Sequence, residues 1–214
     1  MSIFEESMPL LDPYINQNAS AEPILLQQLR RETHLKTTQP HMISGHSQGR
    51  FLSLLSKIIQ PKKILEIGTF TGYATLCLAE GLAADGQIIT LDKNEELSYL
   101  PKKYFLLSPQ AQQIEFILGD AKETLQRLDT TFDLVFIDAD KSGYLQYWEL
   151  IKTRLNPGAV VLIDNMLWYG KVYEGAQDKI TQQLRQLNQD IAQDPDFDNV
   201  IVPLRDGIHL IRKK

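Results

Sequence analysis

The sequence predicts an α/β fold: a doubly wound, mostly parallel seven-stranded sheet with an antiparallel C-terminal hairpin and an N-terminal helical cover. Three observations support this class. From residue 62 onward, short β-branched runs alternate with longer stretches of helical pattern. Most of the short runs are continuously apolar, as strands buried on both faces require. Near the C-terminus, two more strand-like runs are separated only by Arg205, Asp206 and Gly207, and an Asp-Gly pair is typical of a tight hairpin.

The elements follow one another in a regular order. Five strands are predicted at residues 63–68, 87–92, 114–119, 132–138 and 159–164. The helices between them are predicted at 72–84, 95–107, 122–128 and 144–155. A strand followed by a helix, repeated, needs right-handed crossovers, so these strands are expected to be parallel with helices on both faces. The last two strands, 200–204 and 208–212, form the hairpin.

Residues 1–60 show a helical pattern. Apolar residues recur near the helical period at Ile24, Leu25 and Leu29, and again between residues 51 and 59. The chain has 214 residues, which favours one α/β domain with an extension over two independent domains. We therefore expect a single domain, 1–214, in which residues 1–60 cover a core formed by 61–214.

The composition excludes several classes of protein. The chain is 43% hydrophobic and 23% charged, with a formal net charge of −5, which is an ordinary globular composition. The start of the chain has no basic segment followed by an apolar one, and the longest apolar runs are too short to span a bilayer. The lone Cys77 can form no internal disulfide, so we expect a cytoplasmic protein with no membrane partner. The negative charge argues against a broad nucleic-acid surface, although it leaves room for a local basic patch.

Acidic residues end the predicted strands, at the edge where open α/β sheets bind their ligands. A single acid at such a position can simply cap the next helix. Acids at or just after all five strand ends favour a ligand site instead. In chain order they are Glu66, Asp92, Asp120, Asp138, Asp140 and Asp164.

The loop after the first strand indicates the kind of ligand. Gly68 and Gly72 allow a ligand close to the backbone, but Phe70 stands where a dinucleotide-binding loop has its second glycine, and no Walker lysine follows. A pyrophosphate would be repelled by the nearby Glu66. A cationic adenosine ligand without phosphate, such as S-adenosylmethionine, fits better. Asp92, 24 residues beyond Gly68, stands where an acid accepts hydrogen bonds from ribose hydroxyls.

A second group of residues predicts metal and proton chemistry. Asp138, Asp164 and Asn165 would bring three oxygen donors together if their strands are neighbours, and such donors select Mg²⁺, with Mn²⁺ or Ca²⁺ as alternatives. The alternative is that Asp164 and Asn165 only shape a turn. Lys141 would have its pKa lowered by a nearby cation, which suits a general base, unless it is simply a solvated side chain at a helix start.

Four segments resemble one family. They are ILEIGTFTGYATLCLAEGL (64–82), TLDKN (90–94), FIDADKSGY (136–144) and IDNMLWYG (163–170). From about residue 42 to the C-terminus, the chain resembles the metal-dependent caffeoyl-CoA and catechol O-methyltransferases, which use S-adenosylmethionine. The resemblance implies a Rossmann-like sheet, a homodimer, and transfer of a methyl group to one hydroxyl of an aromatic vicinal diol.

The resemblance also implies a role for individual residues. Asp138, Asp164 and Asn165 would bind the metal, and Lys141 would be the base. The cofactor site would be lined by Ser44, Glu66, Gly68, Asp92, Ala121 and Asp140. Trp168 and Tyr169, beside the metal, would either wall the aromatic acceptor or pack in the interior.

Two departures from the plant enzymes bear on the ligands. Ala74 stands where they have Ser, so one cofactor hydrogen bond is either missing or supplied by Thr75 or by the backbone. Tyr169 stands where they have Asn, so the acceptor need not be caffeoyl-CoA. Some bacterial relatives methylate a hydroxylated uridine in transfer RNA, which is the alternative function. It would require a basic surface, and we therefore favour a small aromatic diol.

Two functions of another class are the remaining alternatives. The missing second glycine argues against a nucleotide-binding oxidoreductase, and the intact DADK and DN motifs argue against a non-catalytic S-adenosylmethionine sensor. His41 and His46 are assigned to a loop, 42–49 and its flank, that closes over the cofactor. Tyr144, Tyr147 and Trp148 are expected to be core or dimer contacts. The acidic run 190–198 is predicted to be a solvated loop.

Overall fold

A computed structural model of the protein describes residue 11 and residues 13–214. Within these residues, seven strands form one sheet in the order β3-β2-β1-β4-β5-β7-β6. β1 to β5 pair in parallel, and β7 pairs antiparallel with both β5 and β6. The predicted fold class is therefore confirmed. The strands are β1 (Lys63–Ile67), β2 (Gln87–Asp92), β3 (Ile114–Leu118), β4 (Phe132–Ile137), β5 (Leu155–Ile163), β6 (Phe197–Val202) and β7 (Ile208–Lys213).

Helices cover both faces of the sheet. They are α1 (Ile24–Lys36), α2 (Gly45–Ile59), α3 (Tyr73–Ala79), α4 (Tyr99–Leu106), α5 (Ala121–Arg127), α6 (Tyr144–Lys152), α7 (Lys171–Glu174) and α8 (Lys179–Gln193). One hydrophobic cluster joins α1, α2, α3 and α4 to one face, and a second cluster joins α5, α6 and α8 to the other. The helices at the start of the chain thus pack on the sheet, as the predicted helical cover requires. Among the described residues, no helix combines the length and apolar character that a bilayer crossing needs.

Strand β1 shows why the strand runs are continuously apolar. Successive side chains of a strand point to opposite faces, and both faces of this sheet are covered. Ile64 belongs to the cluster of α1 to α4, whereas Leu65 and Ile67 belong to the cluster of α5, α6 and α8. Because side chains alternate along a strand, Glu66 points to the same face as Ile64, where it is fully buried. A carboxyl group therefore occupies a position that the pattern reserves for an apolar side chain.

The position of the ligand edge follows from the strand order. β1 lies between β2 and β4, so the chain leaves β1 in one direction and returns on its other side, which makes a topological switch point. Hydrogen bonds between neighbouring strands continue past the strand ends. Asp138 N donates to Ile67 O and Asp164 N donates to Ile137 O, each at 2.9 Å. These bonds keep the strand ends level, which is why the residues after β1, β4 and β5 meet.

The predicted three-residue hairpin turn is wrong. β6 ends at Val202 and β7 begins at Ile208, so the connection spans residues 203–207. Its backbone bonds to another part of the chain, because Leu167 N donates to Asp206 O and Met166 N donates to Gly207 O. Within this connection the chain still turns tightly, because Gly207 N donates to Leu204 O at 3.0 Å. A local Asp-Gly signal carries no information about such a partner.

The acidic run 190–198 is not a solvated loop. Asp190 lies in the last turn of α8, and β6 begins at Phe197. Leu184, Leu187 and Ile191 recur at helical spacing on α8 and are fully buried, so this helix is amphipathic, with Asp190, its single acid, on the exposed side. The helical pattern is present in the sequence, but it runs into the acidic residues that begin at Asp190.

Candidate active site

A cavity of about 520 Å³ opens at the carboxyl ends of β1, β2, β4 and β5. It lies at the topological switch point, where the sequence analysis expected a ligand. The structure gathers almost the whole predicted set here. The predicted residues that line it are Ser44, Gly68, Asp92, Ala121, Asp138, Asp140, Lys141, Asp164, Asn165, Trp168 and Tyr169.

Glu66 is the predicted cofactor residue that does not line the cavity. Its Oε2 accepts hydrogen bonds from Thr75 Oγ1 and Thr90 Oγ1 behind the cavity wall, and its Oε1 has no hydrogen-bond partner among the described residues. Burial raises the pKa of Glu66 to about 8. The hydrogen bonds from the two threonine hydroxyls lower this pKa, and the charges of Asp138 and Asp92 add to the rise. The hydroxyl of Thr75 is thereby committed to Glu66, so Thr75 does not stand in for a serine at Ala74.

Gly68 brings the β1 and β4 strand ends into contact. Its φ is +105°, and a Cβ atom there would lie 2.1 Å from the carbonyl oxygen of Asp138. Both the conformation and the space exclude a side chain. The cavity floor at this point is therefore bare backbone, which permits the close ligand approach that the sequence analysis inferred.

Asp92 is held by the backbone of two loops. Phe70 N donates to its Oδ2 at 2.6 Å, and Asn94 N donates to its Oδ1 at 2.8 Å. Phe70 itself has a left-handed φ of 49°. A carboxylate fixed by two backbone donors keeps lone pairs free for a diol, so Asp92 has the geometry expected of a ribose acceptor.

Asp140 and Ala121 lie farther along the same wall. Asp140 accepts hydrogen bonds from Tyr147 Oη and Ser142 Oγ, both at 2.9 Å. Burial opposes ionisation, but these two bonds and the charge of Lys93 lower the pKa of Asp140 below its usual value. Asp120, also at a strand end, caps α5 by accepting from two backbone N–H groups. For Asp120 the capping interpretation holds.

Lys141 lies in a polar cluster between β4 and β5. Its Nζ is 3.2 Å from Asp138 Oδ1, 3.2 Å from Ala139 O and 2.6 Å from Tyr144 Oη. Tyr144 Oη donates to Asp164 O at 3.2 Å. Burial raises the pKa of Tyr144 well above its ordinary value, so its phenol stays neutral and can both accept and donate. Tyr144 packs in the core, as predicted, and it also links Lys141 to the end of β5, a role that the sequence analysis missed.

Asp164 is buried and held from two sides. Its Oδ2 accepts from Gln48 Nε2 and its Oδ1 from Asn165 N, each at 2.8 Å. Burial raises the pKa of Asp164 to about 6, and the charge of Asp138 adds to this. Gln48 was not singled out from the sequence, because a lone glutamine on an amphipathic helix carries no signal of what it contacts.

The predicted metal ligands form a donor set of two carboxylates and one amide. Asp138 and Asp164 are close enough for one charge to raise the pKa of the other, and Asn165 follows Asp164 with a left-handed φ of 59°. Among the described residues, no group of three or more His, Cys, Asp or Glu side chains is placed to hold a metal ion. His46 bonds to Ser20 O at 2.8 Å, whereas His41 lines the cavity. The oxygen donors present fit a hard cation.

Aromatic side chains lie beside these acids at the cavity mouth. The ring centroids of Trp168 and Tyr169 are 5.5 Å apart, and both residues have left-handed φ angles, 48° and 54°. Such conformations cost on the order of 1 kcal/mol each and need support from their surroundings. Asp206 Oδ1 supplies it by accepting from Tyr169 N at 2.6 Å. Tyr169 is 73% exposed, so its ring is free to meet a ligand.

The fold and the cavity together define an α/β protein of the nucleotide-binding type whose ligand edge is acidic. Comparison with known proteins narrows this class. The sequence profile of the O-methyltransferase family matches residues 16–214. The chain therefore belongs to this family, in its caffeoyl-CoA O-methyltransferase-like branch, and is an S-adenosylmethionine-dependent O-methyltransferase. The resemblance inferred from the sequence is confirmed.

Individual relatives show how far the similarity extends. The chain is 31% identical to the caffeoyl-CoA O-methyltransferase of Populus kitakamiensis, over 95% of this chain and 93% of that protein. It is 32% identical to a flavonoid 3',5'-methyltransferase of Vitis vinifera, over 78% of this chain and 76% of that protein. The crystal structure of a Podospora anserina methyltransferase bound to S-adenosylhomocysteine superposes with a TM-score of 0.90 at 26% identity, covering 100% of this chain and 98% of that one.

Proposed function

We propose that this methyltransferase uses a divalent metal, Mg²⁺ in the first place, to methylate one hydroxyl of a vicinal diol on a small aromatic molecule. The observation that carries the proposal is the composition of one cavity. Asp138, Asp164 and Asn165 line it beside Trp168 and Tyr169, so oxygen donors for a cation adjoin aromatic walls for an acceptor. The names of the relatives, which act on caffeoyl-CoA and on flavonoids, support a phenolic acceptor.

The cofactor would lie on the other side of the same cavity. Asp92 would accept hydrogen bonds from the ribose hydroxyls, since its carboxylate is held in the cavity wall by two backbone donors. Gly68 would let the cofactor approach the β1 loop, and Ser44, Ala121 and Asp140 would line the remaining wall. A cationic sulfonium suits a cavity whose lining contains several carboxylates.

Asp138, Asp164 and Asn165 would hold the metal. The charge of Asp138 disfavours ionisation of the buried Asp164, which a divalent cation would relieve, and an amide oxygen completes a set of hard donors. When bound, the cation would act as a Lewis acid that lowers the pKa of a chelated hydroxyl and orients it.

Lys141 would act as the general base. Its side chain is only 12% exposed and lies against Asp138 and Tyr144. In its neutral form the amine would take the proton of the acceptor hydroxyl. The acceptor oxygen would bond to the methyl carbon as the bond from that carbon to the cofactor sulfur breaks. Asp138 and Tyr144 would then stabilise the ammonium that results.

A methyl-transfer assay with radiolabelled S-adenosylmethionine tests the proposal. We expect catechol and caffeate to be methylated with Mg²⁺ present, and the corresponding mono-phenols not to be, because chelation needs both hydroxyls. EDTA should abolish turnover, and added Mg²⁺ should restore it. Calorimetry in EDTA should still detect S-adenosylhomocysteine, since Asp92 is held by backbone donors and not by the metal donors.

Three results would contradict the proposal. Turnover of a mono-phenol at a rate comparable with its diol would mean that chelation does not hold the acceptor. Methylation of bulk transfer RNA, with no small diol accepted, would replace the small-molecule function by the RNA function. Undiminished turnover in EDTA would remove the metal from the mechanism.

We also propose a homodimer, a cytoplasmic location and a single domain. Leu54 and Ile58, one helical turn apart on α2, are 61% and 71% exposed, which supports an apolar contact between two copies. Cys77 is free and buried, which suits a reducing compartment. The cluster that joins α1 and α2 to the sheet supports one shared core. Light scattering on the purified protein tests the dimer.

A further inference from the structure

Arg205 lies in the loop between β6 and β7 and makes contacts far from it in the sequence. It has a left-handed φ of 52°. Its Nη1 donates to Gln48 Oε1 at 3.0 Å, to Ser44 O at 2.6 Å and to Ile43 O at 2.9 Å. Its Nη2 donates to His41 O at 3.2 Å. One side chain thus joins the loop to α2 and to the segment of residues 41–44 that precedes it.

The contact with Arg205 determines how the amide of Gln48 is oriented. A guanidinium can only donate hydrogen bonds, so the amide atom that faces it must be the oxygen. The amide nitrogen then faces the other way, toward Asp164 Oδ2, to which it donates at 2.8 Å. Gln48 is fully buried, which holds its side chain in this position.

From this chain of contacts we infer that Arg205 and Gln48 are positioning residues for Asp164, with Arg205 acting through Gln48. This inference rests on the proposed function, in which Asp164 is a metal ligand. With Asn165 N on Oδ1 and Gln48 on Oδ2, each carboxylate oxygen of Asp164 has one hydrogen bond that fixes its direction and retains a lone pair for a cation. Hydrogen bonds of this kind to a metal ligand set its orientation and the affinity of the site.

Arg205 has a second effect that does not pass through Gln48. Its bonds to the carbonyls of His41, Ile43 and Ser44 hold residues that line the cavity. Ser44 belongs to the predicted cofactor set. The two effects are therefore separable: removal of the guanidinium disturbs both the metal side and the cofactor side, whereas removal of the Gln48 amide disturbs the metal side alone.

The experiment measures two dissociation constants by calorimetry, for Mn²⁺ alone and for S-adenosylhomocysteine alone. Gln48→Met should weaken Mn²⁺ binding by roughly tenfold and leave S-adenosylhomocysteine within about twofold. Arg205→Met should weaken both ligands. The double variant should bind Mn²⁺ no more weakly than Gln48→Met, because Arg205 has no effect on the metal once the amide is gone. If the two residues only stabilise the fold, every variant should weaken the binding of both ligands together.

Matched controls separate loss of the relay from loss of a side chain. Gln48→Asn keeps the amide but shortens the side chain by one methylene, so it cannot span both partners and should match Gln48→Met. Arg127→Met removes a guanidinium paired with Glu123 on the surface of α5 and should bind both ligands like the wild type. Arg205 lies in an exposed loop, so its variant can still be measured if the buried Gln48 variants do not fold. Weaker Mn²⁺ binding by Arg205→Met with an unchanged free energy of unfolding then supports the relay, and an equal loss of stability contradicts it.

The outcomes distinguish this inference from the proposed function. If the wild type binds Mn²⁺ and the two single losses multiply in the double variant, Arg205 does not act through Gln48. If the wild type binds Mn²⁺ and no variant changes the binding, neither residue positions Asp164. If the wild type binds S-adenosylhomocysteine but no Mn²⁺, the proposed metal site fails, and this inference fails with it.

Discussion

The two sides of the cavity hold their acids in different ways. On the side of β1 and β2, Asp92 is held by the backbone N–H groups of Phe70 and Asn94, 22 and 2 residues away. On the side of β4 and β5, Asp164 is held by the side chain of Gln48, 116 residues away. Gln48 is held in turn by Arg205, 157 residues away. The first side is built from loop conformation and the second from side chains that the fold brings together.

This difference determines which amino-acid substitutions each side tolerates. Backbone donors survive most side-chain substitutions, so the β1–β2 side depends chiefly on residues that set the path of the loop, and on Gly68 above all. The β4–β5 side depends on individual polar groups, because each holds the next. Substitutions should therefore affect cofactor binding and turnover separately, according to the side on which they fall.

Lys141→Ala should have the largest effect and should fall on turnover alone. Loss of a general base costs roughly 10²–10⁴ in kcat, and turnover should recover in part as the pH rises and the acceptor hydroxyl ionises without help. S-adenosylhomocysteine binding should stay within about twofold. The measurement is kcat against pH with Mg²⁺ saturating.

Lys152→Ala is the control for Lys141→Ala, since that lysine pairs with Glu149 on the surface of α6 and should leave kcat unchanged. A Lys141→Ala enzyme with near wild-type kcat at neutral pH would mean that the lysine is not the base. Weakened cofactor binding in the same variant would break the separation between the two sides.

Gly68→Ala should have the next largest effect and should fall on folding and cofactor binding. The added Cβ would meet the Asp138 carbonyl at 2.1 Å in a conformation that L-residues rarely adopt. We expect the free energy of unfolding to drop by about 3 kcal/mol and S-adenosylhomocysteine binding to weaken at least tenfold. Urea unfolding and calorimetry measure the two quantities.

Gly175→Ala separates the cost of backbone strain from the cost of a steric clash. Gly175 has a similar φ of +81°, but no described atom lies within 4 Å of a Cβ built there. This variant should lose only about 1 kcal/mol and should bind S-adenosylhomocysteine normally. Equal losses in the two variants would show that the contact between the β1 and β4 strand ends is not what makes Gly68 necessary.

Glu66→Gln should have the smallest effect on ligand binding and turnover, and should appear as a change in the pH dependence of stability. Burial raises the pKa of Glu66 to about 8, so the folded state binds a proton that the unfolded chain has released. This proton therefore stabilises the folded wild type in full below about pH 4.5, and the stabilisation is lost as the pH rises to 8. The glutamine side chain cannot ionise, so the variant should gain stability relative to the wild type over this interval.

Urea unfolding at intervals from pH 5 to about pH 8.5 measures this difference. Glu115→Gln makes the same substitution at an exposed position of β3 and is the control. A constant difference between Glu66→Gln and the wild type at every pH would mean that Glu66 is ionised in the fold throughout. The cavity would then be backed by a charge rather than by a neutral acid.

Much of this site could be predicted because its residues follow strands. Asp92, Asp138 and Asp164 each stand at or next to the end of an apolar run, and parallel strands bring their ends to one edge. The bounds of the hairpin loop and helix α8 were predicted wrongly. The Asp206–Gly207 pair does mark a turn, but it gives no sign that residues 166 and 167 bond to this loop. The periodic signal of Leu184, Leu187 and Ile191 runs into the acidic segment that begins at Asp190, and that segment was predicted to be a loop.

The sequence by itself determined the order of the strands, the sheet edge that carries the chemistry and the family to which the chain belongs. These follow from periodicity and from short motifs, which are local. Only the tertiary structure decided that Glu66 lies behind the cavity wall, that Gln48 holds Asp164 and that Arg205 orients Gln48. The physical reason is that a hydrogen bond between residues more than a hundred positions apart leaves no pattern in the sequence. Only the folded geometry shows which atoms meet, and therefore which atom donates and which accepts.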